Sequence, residues 1–186
     1  MANNCKRVVL VLLAIAEMVA FVIAAGSVGY FMDQLDKTII DISEKSGTNV
    51  DIGAIFDSGV YGREEFFLFG LGTGFFVALL SLVIAIAGLQ DTVHYAASIA
   101  TFHAYSALVL LVSGSLLAKT NMRYESKHLC KFLDIYSKNS RCYQLTMGLA
   151  FGFVSMALLI GDAIIYSCSL ARNVGVSFVN MENMAS

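Results

Sequence analysis

Glu17, Ser81, His103 and Asp162 are groups that share protons, bridge helices by hydrogen bonds or line an ion path, and each stands inside a long apolar run. The sharpest case is Asp162, in the middle of GLAFGFVSMALLIGDAIIYSCSLAR at residues 148–172. An ionised carboxylate near the centre of a bilayer costs at least a few kcal/mol, so such a residue faces a protein interior and seeks partners. Four cysteines, Cys5, Cys130, Cys142 and Cys168, are the other reactive side chains, and their positions bear on redox compartment.

The elements that must position these groups follow from composition. Of 186 residues, 58% are hydrophobic and 14% charged, whereas soluble domains carry about 25% charged residues. The deficit is concentrated in four windows, at residues 8–31, 66–89, 95–118 and 143–170. A helix needs about 20 apolar residues to cross the roughly 30 Å hydrocarbon core, and each window is long enough. The windows are apolar all round, without the polar stripe of a soluble bundle. The fold class expected is an all-α integral membrane protein, a single four-helix bundle over residues 1–186, with outer loops at about 32–65 and 119–142. The first window reads as a retained helix, because it is too long for a cleaved signal and no small-residue cleavage site breaks it.

Measured from one membrane face, the four polar groups fall at nearly one depth. Asp162 lies eight residues before Leu170, about 12 Å into the membrane at 1.5 Å per residue. Glu17 is nine residues beyond Val8, Ser81 eight before Leu89, and His103 eight beyond Tyr95. The expectation is one buried layer in which Glu17, His103 and Asp162 share protons and hydrogen bonds, at least one carboxyl being neutral. Two roles stand for it: an interhelical clasp, or a proton or ion path.

Orientation draws opposing signals. Lys6 and Arg7 before helix one, against Asp33 and Asp36 after it, put the amino terminus in the cytoplasm. The loops after helices one and three nevertheless hold nine of the twelve basic residues, which points the other way. The cysteines decide for a cytoplasmic amino terminus. Cys130 and Cys142 then face an oxidising compartment and are able to close a disulfide, while Cys5 and Cys168 stay reduced. Free thiols throughout are the plain alternative. Cys5 and Cys168 are juxtamembrane, a pattern compatible with reversible palmitoylation. The first loop is acidic and the third basic, which favours docking between them or simply solvated loop charge.

Small residues four apart, Ala25 and Gly29, Gly70 and Gly74, Gly148 and Gly152, let helix backbones approach closely in lipid, within the chain or between copies. Catalysis is not expected. Only His103 of three histidines lies at membrane depth, too few for axial haem ligation, there is no C-x-x-C pair, and no phosphate-loop or zinc-protease motif occurs. The residue pattern assigns no catalytic, cofactor or metal site and no nucleic-acid partner. The chain has no proline, which removes proline-made helix breaks of the kind transporters use.

The sequence EEFFLFGLGTGFFVALLSLVIAI from Glu64 and the helix GLAFGFVSMALLIGDAIIYS resemble the MARVEL domain proteins, which include the MAL, chemokine-like-factor-related, physin and occludin groups. Phe151, Gly152, Phe153, Asp162 and Ala163 match that family's pattern residue by residue, and FHAYSALVLLVSGSLLA in helix three is a looser match. The resemblance implies cytoplasmic termini. It also implies a non-catalytic protein that organises membrane domains in vesicle trafficking, membrane apposition or fusion, or cell junctions. Its partners would be membrane lipids, cholesterol-rich domains among them, and itself or other membrane proteins through helix faces. The location implied is the plasma membrane or a vesicle or endomembrane. The long acidic first loop leaves the subgroup open. Claudins are set aside because the chain has no tryptophan; plant Casparian-strip proteins are similar to MARVEL proteins and stay open beside them. The competing expectation is a small oligomeric channel, or an accessory subunit of a channel or transporter, with the polar layer lining a pore between copies.

Overall fold

The computed structural model describes residues 2–46, 61–89, 92–126, 130 and 142–185. Among them the chain is all-helical: α1 is Ala2–Ser46, α2 Tyr61–Ala87, α3 Val93–Ser126 and α4 Cys142–Ala185. Each contains a stretch long and apolar enough to cross a membrane, Lys6–Thr38, Gly62–Ala87, Val93–Ser126 and Cys142–Arg172.

Most helices outrun the apolar windows, for a simple reason. Hydropathy marks where lipid would end, whereas a helix continues until something stops it. With no proline in the chain, α1 passes through Asp33, Asp36 and Lys37 to Ser46, immediately before Gly47. Asp33 and Lys37 pair at 2.7 Å across one helical turn with both side chains more than half exposed. They were expected in a loop, and the structure makes them an exposed i, i+4 pair on α1, worth little to stability. The α2 helix ends sooner than expected, at Ala87, because Gly88 takes a φ of 73°, the left-handed conformation that closes a helix and suits glycine. Arg7 on α1 donates a hydrogen bond to the Ile86 carbonyl, meeting an unpaired carbonyl at the negative end of α2. Thr92 stands at the N-cap of α3, its carbonyl accepting from the Ala96 amide at 2.9 Å.

Each helix packs on two neighbours, in the ring α1–α2–α3–α4 and back to α1. Arg7 beside Ile86 makes α1 and α2 antiparallel, and the Thr92 amide donating to the Leu89 carbonyl at 3.0 Å, just past the end of α2 and just before α3, does the same for α2 and α3. The Cys130–Cys142 disulfide, with Cα atoms 5.6 Å apart, brings the end of α3 to the start of α4. Gly148 faces Val28, while Tyr166 clusters with Leu10, so α4 runs against α1. This is an up-and-down four-helix bundle.

The inward faces follow alternating steps of three and four. On α1 the buried series is Leu10, Ala14, Glu17, Phe21, Ala24, Val28, Phe31 and Leu35, with Ala20 buried beside it; on α4 it is Leu145, Gly148, Gly152, Ser155, Leu159, Asp162 and Tyr166. This is the seam spacing of coiled-coil packing. The outward positions are apolar, including Leu12, Val22, Phe69, Phe76, Leu108 and Ile164. The bundle is inverted relative to a soluble one: its polar and small residues lie inside. Ser113, Thr120 and Ser155 satisfy their hydroxyls on carbonyls of their own helices, so they pack as small residues without needing a partner across the interface.

Glycines set how closely the helices meet. A Cβ built on Gly74 would lie 2.5 Å from the Phe21 ring, one on Gly152 2.5 Å from the Phe67 ring, and one on Gly148 2.5 Å from Val28 Cγ2 and 3.1 Å from the Ala24 carbonyl oxygen. Gly70 is nearest Ser113, Val109 and Leu110. These four glycines therefore pack within the chain. Gly29 has nothing within 4 Å, and Ala25 is half-buried against the core.

Candidate functional site: a buried polar layer

Glu17, His103 and Asp162 come together from α1, α3 and α4, each with a fully buried side chain. Their helices carry them inward because each occupies a seam position: Glu17 between Ala14 and Phe21, His103 between Ile99 and Ser106, Asp162 between Leu159 and Tyr166. His103 Nε2 lies 3.8 Å from Glu17 Oε2 and 3.6 Å from Asp162 Oδ2. Its other ring nitrogen, Nδ1, is 2.8 Å from the Ile99 carbonyl oxygen. That carbonyl only accepts, so Nδ1 donates and the ring is fixed in orientation.

Ser81 from α2 does not meet the carboxylates directly in a hydrogen bond. Its hydroxyl lies 3.1 Å from the Tyr166 hydroxyl, and the Tyr166 ring stands 6.0 Å from the His103 ring. All four helices thus supply a polar group to one region, with Tyr166 linking the fourth. Tyr166 escaped the sequence reading, although it follows Asp162 by four residues and so shares its helix face.

A second buried polar contact was also missed. Glu64, read as loop charge, lies in the first turn of α2 and is fully buried. The Tyr124 hydroxyl of α3 donates to Glu64 Oε1 at 3.0 Å, and the Tyr124 ring lies 6.2 Å from Phe31. The recoverable signal was spacing: Glu64 precedes Phe67 and Leu71 by the three-and-four rhythm of the α2 seam.

Cys130 and Cys142 are disulfide-bonded. Cys168 is a free, exposed thiol, 26 residues after Cys142 and therefore about 39 Å along α4. Cys5 belongs to α1, but its side chain lies outside the described residues, as do the loop segments 47–60 and 131–141 that carry much of the loop charge. An apolar groove of about 500 Å³ runs between α3 and α4, lined by Ala104, Ala107, Met156, Ala163 and Cys168 among others.

Fold and site together define a class, a four-helix bundle of long apolar helices closed around a sealed acidic and imidazole layer. No protein-family model, no curated protein and no solved structure matches the chain. The resemblance to MARVEL proteins expected from the α2 and α4 residues named above has no support in these comparisons. Of those residues, Gly152 seats Phe67, Asp162 joins the layer and Ala163 lines the groove.

Proposed function

We propose that the chain is inserted as four transmembrane helices with both termini in the cytoplasm. There it acts as a non-catalytic organiser of membrane domains, in vesicle trafficking, membrane apposition or fusion, or cell junctions. The observation that carries this reading is the enclosure of the polar layer within a single chain. A pore formed between copies needs polar groups on outward faces, yet Glu17, His103 and Asp162 are 0% exposed, and the outward positions of the helices are dominated by apolar side chains. Such a surface has lipid and other apolar helices as its partners. The resemblance to MARVEL proteins supports the same class of activity.

The described thiols support the topology. The disulfide and the free Cys168 are separated along α4 by more than the hydrocarbon thickness, which suits an oxidising face at Cys130 and Cys142 and a reducing one at Cys168. Lys6, Arg7 and Arg172 lie at the Cys168 end, but nine of the twelve basic residues belong to the opposite side, so the positive-inside rule favours the reverse orientation and the topology rests on the thiols. Cys168 also lines the groove between α3 and α4, so an acyl chain attached there would find an apolar seat.

The test is the cellular location of a tagged full-length protein, combined with impermeant thiol labelling of intact cells before and after reduction. Concentration at contacts or on vesicles, with Cys130 and Cys142 labelled only after reduction and Cys168 protected, is the expected result. Diffuse surface protein with Cys168 labelled from outside would reverse both the topology and the reading.

A further inference from the structure

The enclosed layer is short of partners in a specific way. Glu17 Oε1 and Oε2, Asp162 Oδ1 and Oδ2, and His103 Nε2 are all buried without a hydrogen bond. Buried polar atoms left so are costly, and a native interior rarely concentrates five of them in one place. The Nε2 separations of 3.8 Å and 3.6 Å are too long for hydrogen bonds. The three side chains are close, yet they do not satisfy one another.

Those separations suit a shared cation. One ligand atom from each of the three residues lies within 4.8 Å of the others. Two ligand atoms each about 2.1 Å from a zinc-type ion, at a tetrahedral angle, stand about 3.4 Å apart, within a few tenths of an ångström of both Nε2 distances. A neutral histidine here has the matching tautomer, since its single ring proton is taken up by the Ile99 carbonyl. With Nδ1 donating to the Ile99 carbonyl, the neutral ring turns the Nε2 lone pair toward both carboxylates. Donation of the second ring N–H to a backbone carbonyl is how metal-ligating histidines are ordinarily held.

Charge points the same way. Two carboxylates with a neutral imidazole sum to minus two, and a divalent cation brings the layer to zero, the state cheapest to enclose at membrane depth. The donor set restricts the ion: calcium and magnesium take oxygen ligands, whereas a mixed set of imidazole and carboxylate suits zinc and its first-row neighbours. We infer that Glu17, His103 and Asp162 form a binding site for one divalent transition-metal ion of the zinc class. The ion ties α1, α3 and α4 together and is captured as the helices assemble, since the folded layer is closed to solvent. The site does not depend on the membrane-organiser reading, because a structural ion serves a bundle of any function.

The experiment uses the full chain without a histidine tag, expressed in zinc-supplemented medium and purified in mild detergent. Metal content per chain is read by mass spectrometry beside the double variant Glu17→Gln/Asp162→Asn, which keeps the shapes and removes both charges. About one zinc per chain in the wild type, and at least a tenfold lower content in a variant of unchanged helicity and elution volume, is expected. Wild-type zinc no higher than the variant's would overturn the site. Where the variant does not fold, wild-type protein grown with cobalt decides. Visible d–d absorption typical of nitrogen and oxygen donors supports the site, while no absorption, or thiolate charge-transfer bands placing the metal on a cysteine, refutes it.

Discussion

Replacing Gly148 with alanine tests the packing most sharply, because the added methyl group meets atoms that have nowhere to go. Its Cβ would stand 2.5 Å from Val28 Cγ2, 3.1 Å from the Ala24 carbonyl oxygen and 3.4 Å from the Val28 amide nitrogen. Val28 is fully buried and, being β-branched, has little rotamer freedom on a helix; the other two atoms are backbone. The α1 and α4 helices must therefore separate. Overpacking of this kind costs about 1–3 kcal/mol, roughly a five- to 150-fold fall in the folded-to-unfolded ratio. Gly29→Ala is the control: nothing lies within 4 Å of its Cβ position, and loss of glycine's backbone freedom should leave stability unchanged or raise it by about 0.5–1 kcal/mol. The assay is unfolding by sodium dodecyl sulfate in mixed micelles, followed by pulse proteolysis. Val28→Ala should partly rescue Gly148→Ala, giving a coupling energy of about 0.5–3 kcal/mol in the double-mutant cycle. Equal stabilities for Gly148→Ala and Gly29→Ala, or strict additivity with Val28→Ala, would refute the close approach of α1 and α4.

Further outcomes follow from individual contacts. Tyr124→Phe removes the donor to buried Glu64 Oε1 and should lower stability by about 1–3 kcal/mol in the same titration, whereas Tyr124→Phe made on Glu64→Leu should cost much less. Ser81→Ala and Tyr166→Phe break one hydrogen bond from either side, so each should cost about 0.6–1.7 kcal/mol and the double variant no more than the larger single effect. Cys130→Ser opens the loop to Cys142; in the chain-entropy model that loss is about 3 kcal/mol, visible as a lower denaturant midpoint that reducing agent lowers in the wild type but not in the variant.

The layer and the four long apolar helices were legible in the sequence because both rest on strong signals: long apolar windows, and charges too costly to leave without partners among apolar side chains. Counting residues from one membrane face brought Glu17, His103 and Asp162 to one depth, and the seams then turned them toward one another. The inward pattern of the bundle was less visible. Windows that look apolar on every side conceal seams in which Gly, Ser and Ala alternate with large side chains such as Phe21, Phe31, Phe67 and Leu159, so hydrophobicity alone does not distinguish the inside. Helix ends differ from the apolar windows for a related reason: hydropathy marks only the apolar stretch, and the backbone ladder runs on to Ser46 and Ser126. Glu64 was assigned to solvent because charge at the edge of an apolar window usually is; its burial comes from the seam rhythm and from Tyr124, 60 residues away.

The enclosure of the polar layer inside one chain is tested most directly by passive ion flux through the purified full-length protein reconstituted in liposomes. Sealed as Glu17, His103 and Asp162 are, proteoliposomes should leak protons, potassium and chloride no faster than empty ones at any protein-to-lipid ratio. Flux that rises with protein content and disappears in Asp162→Asn would show that the layer lines a pathway, and would contradict the account.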